Sequence, residues 1–73
     1  MRPIADIAAG PQRHDAIEYQ GKVYEVIDIQ DDKVIYRVSP ARPKRARWMT
    51  LYGWRVLCSS RGAEESDYTS EPT

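Results

Sequence analysis

The chain has no phenylalanine, one cysteine and one histidine among its 73 residues. Cys58 alone cannot form an intramolecular disulfide, and with His14 as the one imidazole the chain cannot assemble a zinc site from soft ligands of its own. Long apolar runs are also missing. No uncharged stretch approaches the roughly eighteen residues of a membrane span, so no membrane role is expected. No apolar core of about seven to fifteen residues follows Met1-Arg2-Pro3, which argues against a signal peptide. There is no Gly-rich phosphate loop and no Ser/His/Asp set. The expectation is a cytoplasmic, non-enzymatic protein without cofactor or metal. The lone cysteine suits a reducing compartment.

What is present describes one small folded domain. Hydrophobic residues make up 41% of the chain, charged residues 30%, and five Tyr and two Trp supply the aromatic bulk. That balance favours a packed core over full disorder. Net charge is zero, from 11 basic and 11 acidic residues, but the charges are segregated. Residues 1–32 hold 3 basic and 7 acidic residues, residues 33–61 hold 8 basic and no acidic ones, and residues 62–73 hold 4 acidic and no basic ones. The middle segment is therefore expected to attract an acidic partner, unless the flanks neutralise it within the molecule.

Residues 1–16 predict a flexible or loosely docked arm. Pro3 fits the first turn of a short helix, Ile4, Ile7 and Ala8 would share one face, and Gly10-Pro11 would end it. A helix that short does not hold alone in water. The core is expected over residues 17–58. KVYEVIDIQ is rich in β-branched and aromatic residues and reads as a strand, with a bulge near Glu25–Val26 to repair its imperfect alternation. Asp31-Asp32 marks a turn, and KVIYRV alternates as the returning strand. SPARPKRAR, with Pro40, Pro43 and clustered bases, reads as a loop. WMTLY and WRVLC read as two further strands about a turn or sharp bend at Gly53. Parity puts Trp54, Val56 and Cys58 on one buried face. Residues 59–73, small, polar and acidic, read as a disordered tail.

The string GKVYEVIDIQDDKVIYRV resembles the opening hairpin of small SH3-like barrels, and WRVL resembles a closing strand. Compact proteins of that style are frequent in phages, prophages and plasmids. The fold expected is mainly β: a small SH3-like barrel, or a strongly bent four- to five-stranded antiparallel sheet, with disordered termini. Either form deals with exposed sheet edges; the molecule would be a monomer or a homodimer. The resemblance implies a binding module rather than an enzyme.

The residues singled out for binding are Arg37, Arg42, Lys44, Arg45, Arg47 and Arg55, with Trp48 and Tyr52. Arginine makes bidentate contacts to carboxylate and phosphate and stacks on flat rings. Arg, Trp and Tyr are the commonest hot-spot residues of protein interfaces, which points to a host protein with an acidic surface and to an adaptor or inhibitor role. The same composition suits nucleic acid, where bases stack on rings and guanidinium groups hold the backbone. Trp48 reads equally as core or as surface, and Trp54 as core. Asp28, Asp31 and Asp32 lack calcium-loop spacing and read as a solvated hairpin end.

Overall fold

Two-residue turns bring the β-rich runs together. At Gln20-Gly21 both residues have positive φ, 52° and 77°, which gives the tight reversal that matches strand twist. At Asp31-Asp32, Asp31 takes the left-handed region at 55°, tolerated because its short polar side chain accepts that backbone. The resulting computed structural model describes residues 2–39 and 45–66. Its elements are α1 (Ile4–Ala9), β1 (Ala16–Tyr19), β2 (Lys22–Gln30), β3 (Lys33–Ser39), β4 (Arg47–Thr50), α2 (Leu51–Cys58) and β5 (Glu64–Ser66). The five strands form one open antiparallel sheet in the order β4-β3-β2-β1-β5. The protein is mainly β, as the sequence predicts, and β2–β3 is the expected hairpin.

The register shift in that hairpin lies between Val26 and Asp28, slightly beyond the predicted position. Val26 stands opposite Tyr36 and Ile29 opposite Val34. With Ile27 as the extra residue, Val26 and Ile29 face the same side although their spacing is odd. That side carries the core. Ile17, Val26 and Val34 from the sheet meet Ile7, Trp54 and Cys58 from the helices, with Tyr24, Met49, Leu51 and Leu57 packed around them.

Three sequence expectations are corrected. WRVLC is not a strand, and Gly53 is not a turn: Leu51–Cys58 is one helix running through Gly53. Thr50 is its N-cap, accepting the Gly53 N–H on Oγ1 at 3.1 Å. Leu51, Trp54 and Cys58 follow helical spacing onto the core, whereas Val56, predicted to be buried, is 51% exposed. Second, the arm is not loosely attached. Ile7 is only 1% exposed and belongs to the core. Third, the predicted tail contributes a strand. After Gly62 (φ 91°), Glu64–Ser66 pairs with β1, setting Ile17 opposite Glu65. Backbone pairing, not side-chain propensity, makes this strand. Residues 67–73 lie outside the described part.

A six-residue helix is too short to persist by itself, and α1 is held at both ends by distant residues. Pro3 offers no capping side chain; instead Glu65 Oε2 accepts the Ile4 N–H at 3.1 Å. At the other end the orphan carbonyls receive donors from α2. Trp54 Nε1 donates to the Ile7 carbonyl at 3.1 Å, and Arg55 donates to the Ala8 and Ala9 carbonyls at 3.2 and 3.0 Å. A carboxylate at the helix start and a guanidinium at its end also complement the helix dipole. Asp15 fixes the segment between α1 and β1: it accepts the Gln12 N–H at 2.8 Å and pairs with Arg2.

Candidate binding surface

The helices pack on one face of the sheet, and on the other the β3 and β4 end is solvent-facing. Alternation along β3 and β4 places Lys33, Ile35 and Arg37 on this outer face, together with Trp48 and Thr50. Trp48, opposite Ile35, is 58% exposed. The open question of its burial is thus answered: Trp54 fills the core and Trp48 does not. Lys33, paired with Thr50 at the start of β3, extends its Nζ over the Trp48 ring at 4.8 Å from the centroid. This cation–π contact is worth about 0.5–1 kcal/mol at an exposed site and orients both side chains.

The predicted residues separate into distinct groups. Arg45, Arg47 and Trp48 adjoin one another at the β4 edge, all exposed. Tyr52 follows on the first turn of α2, 77% exposed, close to the same end of the molecule because the Leu51 N–H donates to the Asp32 carbonyl at 2.6 Å. Arg37 stands directly opposite Glu25 in the β2–β3 register. Glu25 is buried and is engaged in an interaction of its own. Arg55 is occupied in closing the C-terminus of α1. Its assignment to the binding surface is replaced by this structural role, which requires a long side chain with several donors. Arg42 and Lys44 lie outside the described residues.

Lys33 was not among the residues singled out from sequence. Its signal was present but weak: it opens a strand after a two-residue turn, and antiparallel pairing across the next strand brings it beside Trp48 only if β4 pairs with β3. The basic segment between the two runs hid that pairing.

Ion pairing leaves the β4 cations free of the molecule's own described carboxylates. Among the described residues, Arg2 pairs with Asp15 and Arg13 with Asp28 at 3.5 Å, so both cations come from the N-terminal segment. Neither Arg45 nor Arg47 takes part. The Ile29 N–H, donated at 2.8 Å, holds the Asp28 carboxyl below its ordinary range, with Gln30 and Arg13 adding smaller effects. Cys58 is a buried thiol at the end of α2, and burial raises its pKa to about 11. Such a group behaves as a small hydrophobe. No cluster of His, Cys, Asp and Glu able to hold a metal occurs among the described residues, and no described helix is long and apolar enough to cross a membrane.

No family model, curated protein or solved structure matches the chain.

Proposed function

We propose that the protein is a non-enzymatic binding module that docks an acidic protein surface, acting as an adaptor or inhibitor. The observation that carries this reading is Trp48: a large ring, 58% exposed, held on the outer face by Lys33 and flanked at the sheet edge by Arg45 and Arg47. Tryptophan and arginine are enriched among the few residues that carry most of the binding energy at protein interfaces.

The nucleic-acid alternative uses the same residues but finds less support. A base stacking on Trp48 would compete with the Lys33 ammonium over the ring. The next exposed aromatic, Tyr52, lies on α2 rather than on the sheet. A protein partner that meets Trp48 from the β4 side needs no displacement of Lys33.

The test is a pull-down from nuclease-treated lysate, comparing the wild type with a Trp48→Ala, Arg47→Glu variant whose fold is verified by circular dichroism. The reading expects a defined protein band with the wild type and its loss with the variant. Loss of every partner on nuclease treatment would transfer the assignment to nucleic acid. Equal capture by both proteins would remove the surface from consideration.

A further inference from the structure

Resting on that reading, we infer how the partner binds: an extended acidic segment adds to the sheet as a sixth strand along β4.

β4 is an edge. Of the described strands it pairs only with β3, and the pairing is regular, Lys33–Thr50 through Tyr36–Arg47 with no register shift. A strand paired on one side directs alternate N–H and C=O groups outward. Edges of this kind are commonly blocked by proline, a bulge or an inward charge. Residues 47–50 contain neither proline nor bulge. What they have is charge of one sign. Arg47 lies on the strand and Arg45 just before it, both exposed, with Lys33 across the ladder. This positive edge repels a second copy of itself and attracts a strand bearing carboxylates.

The alternation specifies the partner further. Trp48 lies on the outer face, and Arg47, opposite Tyr36, lies on the other. An added strand would therefore set acidic side chains beside Arg47 and apolar ones beside Trp48, at alternate positions. The partner is an extended peptide segment that alternates acidic and aliphatic residues. The opposite edge, β5, carries Glu64 and Glu65 and has the wrong sign for such a ligand. That edge makes a second copy of the chain the chief competitor.

The experiment titrates the blocked peptide Ac-Ser-Glu-Val-Glu-Val-Glu-Ser-NH2 into isotope-labelled full-length protein. Chemical shifts and amide exchange are followed, and the titration is repeated with the same peptide N-methylated at alternate residues. Modifying the peptide leaves the fold of the protein untouched. Addition to β4 requires slowed exchange at alternate amides of residues 47–50 and a loss of about tenfold or more in affinity on methylating the bonded register. Binding that perturbs Trp48 and Lys33 but ignores N-methylation overturns strand addition while leaving the proposed function standing. Absence of binding to the peptide overturns strand addition, and the pull-down then decides the proposed function separately. Protection of β4 amides that rises with protein concentration, without peptide, would overturn the acidic partner in favour of a second copy.

Discussion

Replacing Trp54 by phenylalanine is the sharpest test of how this small body holds together. The ring is 0% exposed, and its Nε1 donates to the Ile7 carbonyl at 3.1 Å. Phenylalanine removes that donor and leaves the Ile7 carbonyl without a partner in a buried setting, which costs about 1–3 kcal/mol. It also removes the five-membered ring from the centre of the core, about 1–2 kcal/mol in lost transfer and cavity terms. Together these give about 3 kcal/mol. A 73-residue domain of ordinary stability has roughly 4–11 kcal/mol in total, so the substitution takes a large fraction of it. Urea unfolding followed by far-ultraviolet circular dichroism measures the effect. With a slope of about 1 kcal/mol per molar urea, the midpoint falls by about 2–3 M. The Gly10 amide, which donates to the Asp6 carbonyl at 2.9 Å, should exchange faster as the end of α1 loosens. A midpoint within about 0.5 M of the wild type would refute the claim that Trp54 joins α1 to the sheet.

Ile7→Ala should destabilise the protein by about 2–5 kcal/mol in the same urea assay, whereas a residue on a detached arm would change nothing. Cys58 should resist alkylation at pH 8 until the protein unfolds. Because its native pKa is raised from 9.0 to about 11, stability is intact below pH 9 and falls as the pH rises towards 11, with a ceiling of about 2–3 kcal/mol; the decline should be shallower in Cys58→Ala, and equal pH dependence in the two proteins would contradict the burial argument. Gln20 holds a φ of 52° before Gly21, so Gln20→Asn should raise stability by about 0.5 kcal/mol, read as a higher thermal midpoint; a loss would show that the Gln20 side chain makes contacts which outweigh its backbone strain.

The hairpin was legible because each of its cues is local: β-branched runs, an acidic turn, and alternation from Val34 to Val38. The bulge was legible too, to within about a residue, because an apolar pattern that slips phase needs an extra residue somewhere. Helix α2 was misread for an equally local reason. LYGWRVLC mixes aromatic, β-branched and glycine residues, each a poor helix former, and its two-residue periodicity resembles a strand. The decisive cues were Thr50, a capping residue three positions before Gly53, and the spacing of Leu51, Trp54 and Cys58. Strand β5 had no side-chain cue at all; Glu64 even lies opposite Glu18, a like-charged pair. It exists because β1 needs a backbone partner on its second side. The site divides along the same line. Trp48, Arg45 and Arg47 are neighbours in sequence and were found together, whereas Lys33 joins them through strand pairing and Arg55 leaves them through helix packing.

Charge segregation along the chain maps onto the sheet in an ordered way. β5, at one edge, presents Glu64 and Glu65, and β4, at the other, presents Arg47 after Arg45. Each N-terminal cation seen in an ion pair uses a carboxylate of its own segment, Asp15 or Asp28, while the exposed Glu65 accepts the Ile4 N–H. The zero net charge is therefore not a uniform cancellation. Carboxylates and guanidinium groups near the helices serve the fold locally. At the β4 edge, positive charge stands beside an exposed indole. Trp48, 58% exposed, adds less burial than Trp54 and is held in part by the Lys33 ammonium over its ring. The proposed partner strand would cover this ring and the Lys33 ammonium above it.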